Sequence, residues 1–162
     1  MAFPFSITYQ KKLKAKVGSE NLPASLKYIQ TIISEKAADN VSIENSLIGY
    51  KGSTSNYRGS LFGGPDSGSF TFISNYENSF LVYEIKLNKL FIITPIMAGV
   101  FGLLSQLVWV AAGTFLWLCG MNWIIIVVRH DSLAWELAAG IDKLNGVVKQ
   151  DAIKSEEIKH WF

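Results

Sequence analysis

One uninterrupted apolar stretch, FIITPIMAGVFGLLSQLVWVAAGTFLWLCGMNWIIIVV, constrains this chain more than any other feature. It runs from Phe91 to Val128 and contains no Asp, Glu, Lys, Arg or His. Its 38 residues would form a single helix of about 57 Å at a rise of about 1.5 Å per residue. The hydrocarbon core of a bilayer is only about 30 Å thick and needs about 20 residues. The length therefore predicts two short spans joined by a tight turn, which is a transmembrane helical hairpin.

Basic residues flank the apolar stretch on both sides. Lys86 and Lys89 precede it and Arg129 follows it, and positive residues favour the cytoplasmic side of a membrane. A hairpin returns both flanks to one side, so we expect a multi-pass protein of the bacterial inner membrane with cytoplasmic termini. Trp109, near the predicted turn, and Trp135, near the membrane exit, complete the predicted membrane interface. A re-entrant hairpin and one long tilted helix are the alternatives.

Small or uncharged polar residues recur at helical spacing within the apolar stretch. One set repeats every four positions and the other every seven, so each set lies on one helix face. The first set is Thr94, Ala98, Gly102 and Gln106, and the second is Gly113 and Gly120. Small residues let helix backbones approach closely in lipid. We expect these faces to pack within one hairpin; the alternative is that they also build an oligomer.

The first 88 residues predict a cytoplasmic domain with one helix and several antiparallel strands. Apolar residues alternate with polar ones from Phe3 to Tyr9, the period of a half-buried strand. Pro23 suits the first turn of a helix, and an apolar stripe at helical spacing runs from Leu22 through Leu26, Ile29 and Ile33 to Ala37. One further strand is predicted from the segments 41–43 and 47–50, and others in a hairpin with arms at 57–62 and 69–74, and at 79–87. A helix covering one face of an antiparallel sheet is an α+β arrangement.

The residues after the apolar stretch predict an amphipathic helix. Asp131 is a suitable N-cap, and one helix face carries an apolar stripe of Leu133, Leu137, Ile141, Leu144 and Val148. Mixed charge favours docking of this helix on the sheet; the alternative is that it lies on the membrane surface. The predicted fold class is an α+β membrane protein with domains at 1–88 (cytoplasmic sheet and helix), 89–129 (transmembrane hairpin) and 130–162 (cytoplasmic helix and tail).

Composition and motifs do not predict a catalytic centre, a cofactor or a metal site. The net charge is only +2 and charged residues make up 17%, which does not suggest nucleic acid as a partner. The two histidines, His130 and His160, are 30 positions apart, and the single cysteine, Cys119, lies in the apolar stretch. No Cys/His cluster has the spacing of a metal site. These features favour a protein that is not an enzyme.

A loop rich in Gly and Ser is the one candidate ligand site in the sequence. Backbone amides of such a loop can hold a phosphate group, although the arrangement of a P-loop is missing. The candidate residues are Gly52, Ser53, Arg58, Gly63 and Gly64. An ordinary glycine-rich turn explains the same pattern.

Three functional hypotheses follow from the sequence, and a membrane enzyme that uses the cytoplasmic domain ranks last, because a catalytic site should show converging titratable residues. The first is a small membrane protein that serves as a non-enzymatic subunit or adaptor of a membrane complex. The alternative is a ligand-responsive, homo-oligomeric membrane effector or channel-like protein that senses a signal through its cytoplasmic sheet. Both take the lipid bilayer and either further copies or a larger membrane complex as partners. The alternative depends on the short connection between the last predicted strand and the apolar stretch.

Overall fold

The structure is a computed structural model that describes residues 5–36, 38–52, 61–75 and 78–146. It shows an α+β fold with a five-stranded antiparallel sheet and two helices long and apolar enough to cross a membrane. The elements, in chain order, are β1 (Ser6–Leu13), α1 (Leu22–Glu35), β2 (Asp39–Glu44), β3 (Leu47–Lys51), a 3₁₀ turn (Leu61–Gly63), β4 (Ser67–Ser74), β5 (Ser79–Lys86), α2 (Asn88–Ser105), α3 (Val108–Phe115), a π turn (Leu116–Met121) and α4 (Asn122–Leu144).

The sheet has the strand order β1-β5-β4-β3-β2. Strands β2 to β5 form a meander, and α1 carries the chain from β1 at one edge to β2 at the other. All pairs are antiparallel, and one cross-strand row joins Tyr9, Tyr83, Phe70 and Ile48. Because side chains alternate along each strand, this row lies on a single face of the sheet.

The hydrophobic core lies between that face of the sheet and two helices. Leu26, Ile29 and Ile33 of α1 are buried, as the apolar stripe predicts. The second half of α4 covers β1 and β5 with Leu133, Leu137 and Ile141. The prediction that the C-terminal stripe docks on the sheet is therefore confirmed for these three residues, whereas Leu144 is exposed and Val148 lies outside the described residues. Burial of each large aliphatic side chain contributes about 1.5–3 kcal/mol to stability.

The helix after residue 130 is not a separate element, which corrects the predicted start at Asp131. Residues Val108–Leu144 form one helix of 37 residues, and Asp131 lies in its middle. No Gly or Pro occurs between Met121 and Ala139, so no residue there ends a helix. Instead of capping the helix, the Asp131 carboxylate accepts a hydrogen bond from Lys11 Nζ at 2.7 Å.

The predicted hairpin arm at 57–62 is wrong at its C-terminal end. Leu61 and Phe62 lie in the 3₁₀ turn, while residues 57–60 lie outside the described residues. Phe62 is fully buried and makes an edge contact with Tyr50, with ring centroids 4.7 Å apart. Strand β4 pairs with β3 and β5 instead. Tertiary burial of one aromatic ring thus overrides the strand-like spacing of the sequence.

The two apolar helices are joined by a tight turn at Gln106 and Leu107. Gln106 has a left-handed backbone with φ 55°, and its N–H donates to the Leu103 carbonyl at 3.4 Å. Helix α2 packs against α3 where Gly102 faces Ala111: a Cβ on Gly102 would lie 2.6 Å from Ala111 Cβ. This contact permits close approach of the two helix backbones.

The π turn keeps the second apolar helix in register with the first. Ala111 and Cys119 are eight residues apart. In a regular α-helix this separation would place their side chains about 80° apart around the helix axis. A π turn contains an extra residue, so Cys119 stays on the side that meets α2, where it is buried. The side-chain amide of Asn122, the first residue of α4, donates to the Leu118 carbonyl of this turn at 2.6 Å.

We expect Gly102→Val to destabilise the packing of α2 against α3. The new side chain would overlap Ala111, whereas Gly99→Val on the same helix meets no atom within 4 Å of its Cβ. Overpacking typically costs about 1–3 kcal/mol. Unfolding in mixed micelles with rising dodecyl sulfate should show a lower midpoint for Gly102→Val than for the Gly99→Val control. Equal midpoints would contradict the observed helix contact.

Candidate functional site

The first connection between the sheet and the apolar hairpin is almost without a linker. Strand β5 ends at Lys86 and α2 begins at Asn88. Between them Leu87 is fully buried, and its N–H donates to the Phe5 carbonyl at 2.8 Å. This pairing continues the β1–β5 ladder one position beyond the strand end. The first apolar helix is therefore fixed to the last row of the sheet.

Asp66 holds the beginning of α2 from a neighbouring loop. Its carboxylate accepts a hydrogen bond from Lys89 N–H at 3.0 Å, and its own N–H donates to the Lys86 carbonyl at 2.8 Å. The first N–H groups of a helix lack partners within the helix, and a carboxylate there also interacts favourably with the helix dipole. Asp66 thus secures the strand-to-helix junction on both sides.

The second connection is the side of α4 that lies along β1. Tyr9 donates to the Val127 carbonyl at 3.1 Å, and Asp142 Oδ1 accepts from Lys14 and Ala15 N–H at 2.9 Å each. The segment from Val127 to Asp142 measures about 22 Å along the helix. Because these bonds engage the helix at both ends of this segment, α4 is held parallel to the strand.

A buried chain of hydrogen bonds lies where both connections meet. His130 Nε2 is 3.0 Å from the Leu61 carbonyl, and Nδ1 is 2.6 Å from the Tyr83 hydroxyl, which is 2.6 Å from the Tyr50 hydroxyl. A carbonyl only accepts, so Nε2 carries the proton and Nδ1 of the neutral ring accepts from Tyr83. The Tyr83 oxygen then accepts from Tyr50. The geometry therefore assigns the direction of the whole chain.

Burial sets the protonation states of this chain. Desolvation lowers the pKa of His130 to about 4, further lowered by the positive charge of Arg129 and opposed by the hydrogen bond to Leu61. Desolvation also raises the pKa of Tyr50 and Tyr83, and that of Tyr9 to about 12. The three titratable groups of the chain, His130, Tyr83 and Tyr50, and the neighbouring Tyr9 are all neutral near pH 7. They hold the junction together without any buried charge.

The same junction explains two glycines of the predicted ligand loop. A Cβ on Gly52 would lie 1.8 Å from the Pro65 carbonyl oxygen, and one on Gly64 would lie 2.8 Å from Ile126 Cδ1. Both positions allow the loop to approach its neighbours closely. Gly63 ends the 3₁₀ turn, whereas Ser53 and Arg58 lie outside the described residues. The structure thus gives these two glycines a packing role and leaves the phosphate site as a prediction.

The residues predicted to lie at the membrane interface are at different positions along the hairpin and α4. Lys86, Lys89 and Arg129 are exposed beside the junction, and Trp109 is exposed next to the turn at the opposite end of the hairpin. Trp135 lies farther along α4, where Lys11 Nζ is 4.5 Å from its ring centroid. A cation–π contact with the sheet is thus the observed contact of Trp135.

The predicted packing residues fall into two groups. Thr94 and Ala98 are buried and Gly102 contacts Ala111, all on the side of α2 that meets the second helix. Gln106 forms the turn, and a Cβ on either Gly113 or Gly120 would meet no atom within 4 Å. The structure brings the first three residues together and leaves the two glycines of the second helix on open surface.

Polar side chains within the hairpin bond to their own helices. Thr94 donates to the Leu90 carbonyl at 2.6 Å and Ser105 to the Gly102 carbonyl at 3.2 Å. Asn122 bonds in the same way within the π turn. Intrahelical bonding of this kind satisfies a polar side chain without a partner helix or a bound ion.

The described residues contain no group of three or more His, Cys, Asp or Glu side chains placed to hold a metal ion. No family model matches the chain, and neither a curated protein nor a solved structure matches it.

The junction residues Tyr50, Asp66, Tyr83 and His130 were not predicted as site residues. Strand alternation places Tyr83 on the buried face, but no local signal indicates that its hydroxyl meets His130 47 positions later.

We expect the free energy of unfolding to fall on acidification from about pH 6.5 to pH 4. His130 has a lowered pKa in the folded state, so the unfolded chain binds more protons in this window and stability decreases as pH falls. The full loss of unfolding free energy is about 3 kcal/mol for a pKa shift of this size. Urea unfolding in nonionic micelles, followed by tryptophan fluorescence, measures it.

His130→Gln is the control for this titration. Glutamine retains a hydrogen-bond donor and an acceptor but does not titrate in this window. The difference in unfolding free energy between the parent chain and this variant isolates His130 from other acid-titrating groups, including His160. If both proteins lose stability equally between pH 6.5 and pH 4, His130 does not have the depressed pKa assigned to it.

Proposed function

We propose that the protein is an integral membrane protein whose hairpin crosses the bilayer twice. The exposure of large apolar side chains on the hairpin supports this: Leu103 and Val108 are each 81% exposed and Trp109 is 86% exposed. So large an apolar surface would be unfavourable in water. Helix α2 is about 27 Å long and the segment from Val108 to Val128 about 31 Å. Both lengths match a hydrocarbon core of about 30 Å.

We infer that the sheet domain is a platform held at a fixed position on the cytoplasmic side of the bacterial inner membrane. The observation that carries this inference is the double attachment: β5 leads directly into α2, and one continuous helix is both the return span and part of the sheet's core. A domain attached by one flexible linker would rotate freely. Two rigid attachments give it a defined orientation.

Such a platform suits a non-enzymatic subunit or adaptor of a membrane complex. The polar groups that converge at the junction are buried and neutral, and their hydrogen bonds connect the sheet to the hairpin. A catalytic site needs reactive groups that a substrate can reach. The uncovered side of the hairpin, with the exposed Gly113, is a surface on which a partner span could pack closely.

The far end of the platform, where β1 ends, stands away from the lipid. Lys14 is anchored to Asp142, about 21 Å along the helix beyond Val128. The Debye length under physiological conditions is about 8 Å. Contact between Lys14 and lipid headgroups is therefore not expected in this orientation, whereas Lys11, which pairs with Asp131 about 5 Å beyond Val128, lies close to the headgroup region.

A ligand-responsive, homo-oligomeric effector is the second candidate function. The shared helix favours it, because any shift of α4 against the sheet would also move the return span. The intrahelical bonds of Thr94, Ser105 and Asn122 support the adaptor over a channel, since they leave few polar groups to line a conducting path.

Cysteine labelling tests the membrane topology. In a Cys119→Ser background, we expect Gln106→Cys to react with an impermeant maleimide added to intact spheroplasts. Gln10→Cys and Ser132→Cys, both at exposed positions of the sheet domain and α4, should react only after permeabilisation. Protection of all three before permeabilisation would instead indicate a re-entrant hairpin, and a reactive Gln10→Cys would reverse the orientation.

Native mass measurement in mild detergent separates the two functions. An adaptor should be recovered with different chains in a complex larger than 18.0 kDa, whereas an effector ring should give integer multiples of this mass. Gly113→Leu should weaken either assembly, because the bulkier side chain would obstruct close packing on the open side of the hairpin. A homogeneous monomer in detergents of several chain lengths would contradict both functions.

A further inference from the structure

A groove opens between α1 and the edge strand β2. It has a volume of about 400 Å³ and lies near the β2–β3 turn, at the end of the sheet opposite the hairpin. Ile43 projects toward the core face but remains 41% exposed, because α1 does not cover the last residues of this strand. The volume lies in the usual range of small-molecule sites, about 300–1,000 Å³.

The groove has an apolar floor and a polar rim that can donate hydrogen bonds. The floor residues are Leu22, Pro23, Leu26 and Ile43, and the rim residues are Lys27, Gln30 and Asn45. No Asp or Glu lines the groove, and none occurs in the first turn of α1. Lys27 makes no ion pair with the part of the chain that the structure describes. The rim is therefore complementary to an anion.

We infer that this groove binds a small amphipathic carboxylate. Its apolar part would cover Ile43 and Leu22, and its carboxylate would accept hydrogen bonds from the Lys27 ammonium and the Asn45 amide. The volume suits a chain or ring of roughly six to ten carbon atoms, at the small end of the usual ligand range. A neutral or cationic ligand of equal size would leave the Lys27 charge without a partner.

This site is independent of the proposed membrane topology, because the groove is at the far end of the sheet. It also provides the second candidate function with a place for its signal. Helix α1 carries most of the groove and contacts α4 through Tyr28, which lies against Gly140, and through the Lys36–Glu136 ion pair at 3.0 Å. Occupancy would therefore be sensed by a helix that continues into the hairpin.

Methyl NMR of the full chain in phosphatidylcholine nanodiscs tests the site, with octanoate as the probe. We expect the Ile43 methyl signal to shift and saturate, while the methyl of Ile92, exposed on the hairpin, reports octanoate that has merely entered the lipid. Octanol, with the same chain and no charge, should bind about two- to fivefold more weakly, since Lys27 is exposed and an ion pair at an exposed lysine contributes no more than that factor.

Lys27→Gln should weaken octanoate binding by about two- to fivefold, and Lys27→Arg should restore most of it. Lys51→Gln is the matched control, because Lys51 is an exposed lysine on the opposite face of the sheet. An Ile43 shift that stays linear like that of Ile92 would overturn the inference. So would equal affinities for octanoate and octanol, or a Lys27→Gln variant that binds octanoate as tightly as the Lys51→Gln control.

Discussion

The continuous helix from Val108 to Leu144 is the element on which the rest of this structure depends. Its first half has an apolar surface that matches the thickness of a bilayer, and its second half buries Leu133, Leu137 and Ile141 in the core of the sheet. The two halves share one backbone, and a helix is stiff over this length because every turn is hydrogen-bonded to the next. This helix, together with the direct connection from β5 to α2, thus sets the orientation of the sheet relative to the hairpin.

The buried contacts at the junction complete this coupling. Asp66 secures the beginning of α2, and the chain from Tyr50 through Tyr83 to His130 joins two strands, the 3₁₀ turn and the shared helix. A buried network stabilises a fold only when each polar group has a partner. Here each hydrogen bond in the chain has one consistent direction, and that consistency requires the neutral form of His130.

Regular periodicity made part of the fold predictable. The alternating residues of β5 and the stripe of α1 are local patterns, because each side chain's face is decided by its own position along the element. The candidate site was much less predictable. His130 follows directly after a basic residue at the end of an apolar run, where an exposed position is expected. It is buried because Phe62 and Tyr83 surround it, and both come from distant parts of the chain.

The sequence by itself determined where the apolar hairpin lies, because the absence of charge over so many residues is a property of composition alone. It also determined the faces of α1 and the strands, through their periods. Only the tertiary structure decided that the C-terminal stripe continues the second apolar helix, that residues 61–63 form a turn, and that Tyr50, Tyr83 and His130 meet. Those outcomes depend on contacts between residues far apart in the chain, and the free energy of such contacts does not appear in any local pattern.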